Sequence, residues 1–134
     1  MKKTIKVLLI ATQLFSITLF AHTTSKREIS KNTEINVLHS MNHEVETVAE
    51  SAIFNLLLLK NRNPQMDLTA FTNELVKLAT EGQTAKIRYK AQLTYWYLTN
   101  KDKIGEIDFN HGDDDNRYYE ELADKLKSIL IASN

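Results

Sequence analysis

The chain has 134 residues, 43% hydrophobic and 25% charged, a composition that fits one globular domain and excludes a disordered or multidomain protein. Three glycines and one proline exclude collagen, low-complexity linkers and turn-rich β-sandwiches, which need many residues with positive or fixed φ. Basic and acidic residues number 17 each, so there is no basic footprint for nucleic acid.

Lys2, Lys3 and Lys6 precede an apolar stretch from Val7 to Phe20, and no further charge follows until Lys26. About 14 residues of this kind are too few for the roughly 20 of a spanning helix, so residues 1–21 are expected to be a signal peptide rather than an anchor. Cleavage after Ala21, or after Ser25 with Thr23 at the −3 position, leaves a first residue between His22 and Lys26. The expected location is the periplasm or the exterior, with no membrane insertion after cleavage. Losing residues 1–21 removes three lysines and no acid, which leaves a net charge of −3.

The absence of cysteine rules out disulfides, a lipid-modified cysteine, a thiolate nucleophile and thiolate metal sites. A remainder of about 110 residues can hold together by burial alone.

Residues 22–42 are rich in Ser, Thr, Asn and Lys and show no clean period, so they read as a flexible tether with room for helix near its end. A helical domain is expected over 43–134. From 43 to 61, Val45, Val48, Ala49, Ala52, Ile53, Leu56 and Leu59 recur at three and four, the spacing of one helix face. Ser40 or Asn42 would cap it. Phe54 and Leu58 lie opposite, making this helix apolar on two sides and its Leu56 the expected centre of the core. Pro64 disfavours helix in the residue before it and marks the stop.

Asp67 is the expected N-cap of a one-sided second helix, with Leu68, Phe71, Leu75, Leu78 and Ala79 as its stripe and Gly82 as its end. Thr84 caps a third, on which Ile87, Ala91, Thr94, Tyr95 and Leu98 share a face while Tyr89, Leu93 and Trp96 lie opposite. A polar connection from 100 to 115 leads to the fourth, with Tyr118, Tyr119, Leu122, Leu126, Ile129 and Leu130 on one stripe. Asp113, Asp114 and Asp115 lie at its start, where the macrodipole favours anions. The expected fold is all-α, four principal helices in two antiparallel hairpins.

An offset of 39 places Val48 over Ile87, Ala52 over Ala91, Leu56 over Tyr95, Leu59 over Leu98 and Asn61 over Asn100. A period near 40, with Ile87, Arg88, Tyr89 and Ala91 in the second unit, resembles the inner helix of HEAT-like hairpin repeats over about residues 45–100. Two units are fewer than the roughly three that stabilise a solenoid, which favours a compact four-helix domain with HEAT-like pairing. Val48, Ala49, Glu50, Ser51, Ala52, Ile53, Phe54 and Asn55, then Asn63 and Pro64, then Ile87, Arg88, Tyr89, Lys90 and Ala91, resemble small exported helical proteins of flavobacterial type. That resemblance implies export and helices, with no activity or cofactor attached.

Chemistry-bearing clusters are sparse. His39 and His43 are four apart and precede Glu44 and Glu46, so on a continuous helix both rings could face one metal. Thr47 stands where a zinc-protease motif needs its second histidine, and an exposed pair at a helix entrance is the expected reading. Asp108, Asn110, Gly112, Asp113, Asp114 and Asp115 suggest a calcium loop, but Asp113 falls where glycine belongs and Tyr119 where the bidentate Glu belongs. Capping accounts for these acids. Glu120 and Glu121 point about 100° apart on a helix, a poor geometry for paired carboxylates. There is no Gly-x-Ser-x-Gly and no phosphate-cradling glycine loop.

All five tyrosines and the one tryptophan lie in 89–97 and 118–119. Packing between the third and fourth helices uses most of them. Tyr89 and Trp96, flanked by Arg88 and Gln92, are expected to stay partly accessible while the fourth helix covers Leu93. The functional expectation is a non-enzymatic module that binds a protein or peptide partner. The alternative from another class is a small hydrolytic or metal-dependent enzyme using His39, His43 or His111 with nearby carboxylates.

Overall fold

The computed structural model describes residues 29–105, 107 and 115–132. The expected signal peptide, its cleavage site, His111 and the acidic cluster at 108–114 lie outside these residues. Among the described residues every regular element is a helix, six in all, which agrees with the all-α expectation.

The first helix falls where a tether was expected. α1 spans Lys31–Met41, with Ser30 as N-cap accepting the Thr33 N–H at 3.2 Å. Its apolar residues are few, but Val37, Leu38 and Met41 share one face, and Met41 is fully buried. A helix of 11 residues is marginal alone, and α1 is stabilised by packing on α2.

α2 spans Glu46–Arg62, three residues shorter at its start than expected because α1 runs on to Met41. Neither Ser40 nor Asn42 caps it. The Asn42 amide instead donates to the Leu38 carbonyl at the end of α1, and the His43 ring closes the turn by accepting the Val45 N–H at 3.0 Å. Leu56 is fully buried, as expected, with Ile53 and Leu57 beside it. Val45 and Val48, expected on the same core face, are exposed.

Lys60 holds the bend after α2, donating to the Pro64 and Met66 carbonyls. α3 spans Thr69–Glu81. Asp67 does not sit at the cap position but accepts from both the backbone and the hydroxyl of Thr69, at 2.9 and 2.7 Å, which turns the chain into the helix. Phe71, Leu75 and Leu78 are buried, the one-sided pattern expected. Gly82 ends α3 with φ of −53°, so no left-handed backbone is involved. A Cβ there would lie 2.5 Å from the Leu78 carbonyl and 2.9 Å from Ile87 Cγ2, and close approach accounts for the glycine.

α4 spans Ala85–Thr99, capped by Thr84, whose hydroxyl accepts the Ile87 N–H. α5 is one turn, Lys101–Ile104, and Ile104 and Ile107 are buried, so the connection expected to be polar is anchored to the core. α6 spans Asp115–Ala132 with Tyr118, Tyr119, Leu122 and Leu126 buried. The stripe stops short of expectation, since Leu130 is exposed.

α1 packs on α2, α3 on α4, α2 on α4, and α6 on α4 and α5. α2 and α4 are therefore central. Bonds from Gln83 to the His43 carbonyl, from Thr84 to Glu46 and from Lys90 to Glu50 join residues 40, 38 and 40 apart. A separation that stays nearly constant from the preceding turns into the first two turns of both helices means that α2 and α4 run in the same direction. Lys90 to Asp115 and Thr94 to Tyr119 both span 25 residues, so α6 runs parallel to α4 as well. The third and fourth principal helices therefore do not form the antiparallel hairpin expected, because α5 and the connection after it carry the chain back before α6 begins.

Candidate functional site

Three faces of α4 are occupied by α2, α3 and α6. On a 100° helical wheel the remaining arc carries Ala85, Tyr89, Gln92, Trp96 and Thr99, all exposed. Tyr89 is 51% exposed and Trp96 39%, two turns apart on the same line. Leu93, between them in sequence, is buried. Of the four residues expected at a partner site, Tyr89, Gln92 and Trp96 share this arc and Arg88 does not. The Arg88 guanidinium donates to the Gly82 carbonyl at 2.7 Å, because the last carbonyls of α3 need donors from outside that helix.

On the inner side of α4, turned away from the arc, is a charged junction that the sequence does not announce. Lys90 is 2% exposed, and its Nζ donates to Glu50 at 2.6 Å and to Asp115 at 2.7 Å. Lys86 reaches the same Glu50 oxygen at 2.9 Å from the surface. Two ammonium groups and two carboxylates from α2, α4 and α6 thus neutralise one another. Lys90 also lies 5.2 Å from the centre of the Tyr119 ring, within cation–π range, and the Tyr119 hydroxyl bonds Thr94 at 2.9 Å. One turn along, Phe54 of α2 meets Tyr118 edge to face at 5.5 Å.

The titration of these groups follows from their surroundings. Burial pushes the Glu50 carboxyl up, but the Lys90 and Lys86 ammonium groups outweigh it and hold the group below its ordinary value. Burial drives the Tyr118 and Tyr119 phenols well above theirs. The Lys90 ammonium donates to carboxylates of α2 and α6 inside the fold, so the junction acts as a clamp between helices.

The histidines do not share a helix face. His39 is exposed in the last turn of α1, and His43 lies beyond its end with Nδ1 accepting from Val45. Among the described residues no group of three or more His, Cys, Asp or Glu side chains is placed to hold a metal ion. An open recess of about 250 Å³ lies between the α1–α2 turn and α3, bordered by Met41, His43, Lys77, Leu78 and Glu81. No helix among the described residues is long and apolar enough to cross a membrane.

Comparison of the chain with protein families, with curated proteins and with solved structures finds no match.

Proposed function

We propose that this chain is an exported, non-enzymatic interaction module in which α1–α2 and α3–α4 are two stacked helical hairpins and the outer arc of α4 receives a protein or peptide partner. The observation that carries this reading is the exposure of Tyr89 and Trp96 on a helix packed on its other sides. Large amphipathic rings on a rigid element give contact area at little cost in conformational entropy, and tryptophan and tyrosine are enriched among residues that dominate binding energy. Gln92 between them adds a donor and an acceptor. The lysines and apolar run within residues 1–21 support export, and the shared direction of α2 and α4 supports the hairpin repeat.

Trp96→Ala is the direct test. Its thermal midpoint is expected to stay within a few degrees of the parent, because the side chain is outside the core. Capture of a partner from periplasm or culture medium is expected to weaken by about 2 kcal/mol or more, roughly 30-fold. Undiminished capture by Trp96→Ala would overturn the reading of the arc. Mass spectrometry of the purified protein is expected to place its first residue between His22 and Lys26, and an intact Met1 chain in cytoplasm would overturn the export half.

A further inference from the structure

The bonds that join α2 to α4 span 36 to 40 residues, bracketing the offset of 39 that aligns the two helices in sequence. Each α2 residue turned toward α4 therefore has a counterpart on α4 with the same orientation relative to its own helix. Glu46 and Glu50 bond to the start of α4, Ile53 and Leu57 continue the same helical arc of α2, and the counterparts of these four are Ala85, Tyr89, Gln92 and Trp96. On α2 this face is covered, with Glu50, Ile53 and Leu57 at 5% exposure or less. On α4 it is the open arc.

The relation also runs backward. Thr84, Lys86 and Lys90 reach α2 from α4, and their counterparts 39 positions earlier are Val45, Thr47 and Ser51. All three are exposed, and so is Val48, the counterpart of buried Ile87. One chain thus presents positions equivalent to both halves of its own internal contact, one set on α2 and one on α4, each uncovered among the described residues. End repeats of soluble helical stacks need a polar outer face, whereas these ends show Tyr89 and Trp96 on one side and Val45 and Val48 on the other.

We infer that the partner of the α4 arc is a second copy of this chain, whose α2 lies against it through Val45 and Val48 and continues the stacking direction set by α2 and α4. This rests on the interaction-module reading and names its partner. The two faces differ, so the contact is head to tail, and it propagates to open chains or closes into a ring.

Sedimentation equilibrium of the chain purified after export tests this, using the parent, Trp96→Glu and Val48→Glu. The parent mass is expected to rise with concentration beyond that of a dimer. Each variant alone is expected to remain a monomer, while their equimolar mixture forms a dimer and stops, because one variant retains an intact α2 face and the other an intact α4 face. Gln92→Glu and Ser51→Glu, on the same two faces, replace any variant whose circular dichroism shows that it is unfolded. A parent that stays monomeric throughout, association lost in Trp96→Glu but kept in Val48→Glu, or a mixture that does not associate would each overturn the inference. A monomeric parent whose capture of some other protein is still weakened by Trp96→Ala would leave the interaction-module reading standing. A monomeric parent with undiminished capture would remove both.

Discussion

Lys90 shows how much of the interior depends on one cation. Its ammonium is buried between carboxylates of two other helices, so losing one of them leaves the charge paired with the other alone, at a cost of about 1 to 3 kcal/mol for the weakened buried group. Glu50→Gln is therefore expected to lose stability on that scale in urea unfolding. Lys90→Met, which removes the buried charge itself, is expected to lose less. The pH dependence follows from the same groups. The Glu50 carboxyl lies below its ordinary value when folded, so its contribution is complete above the unfolded pKa of about 4.3 and disappears as pH falls through the folded value. Tyr118 and Tyr119 are raised, so theirs is complete below about pH 10 and is lost as pH rises through the folded values. Melting followed by circular dichroism across pH is expected to show a fall at both ends, with a smaller acid limb in Glu50→Gln. None of this was legible in the sequence, where a lysine within a helix reads as solvated. The only trace was that Glu50 and Lys90 stand 40 apart, one residue more than the repeat.

At the scale of elements, helix periodicity located α2, α3, α4 and α6 to within a few residues, because each has an apolar stripe of at least three turns. α1 was legible only as room for helix near the end of a tether, because its face depends on Val37, Leu38 and Met41 in a polar stretch, and its stability comes from α2. Asp67 and Thr84 were both legible as helix starts, but Asp67 acts through a turn two residues before α3 and only Thr84 caps directly. Two substitutions test the packing. Leu56→Ala is expected to destabilise by about 2 to 5 kcal/mol, since a fully buried leucine leaves a cavity that its neighbours fill only in part. Gly82→Ala is expected to cost about 1 to 3 kcal/mol, because its Cβ would collide with the Leu78 carbonyl and Ile87. Denaturant titration measures both, and a Gly82→Ala variant as stable as the parent would show that the α3–α4 turn can relax.

For the whole molecule, the 39-residue offset was the most informative feature of the sequence. It aligned α2 with α4, and the structure places bonds between those helices at nearly that separation. It did not reveal α6, which joins α4 at a separation of 25 and has no counterpart in the repeat. Nor did it decide which aromatic rings pack and which stay outside. Tyr118, Tyr119 and Tyr97 are buried while Tyr89 and Trp96 are exposed, and that division is set by where α6 lies on α4. The central claim is that α4 keeps an open aromatic arc, and the chain has only one tryptophan, so its fluorescence reports on Trp96 alone. Acrylamide quenching at the lowest workable protein concentration measures it most directly. Red-shifted emission with efficient quenching is the predicted result, while blue-shifted emission that acrylamide cannot reach in the dilute protein would contradict it.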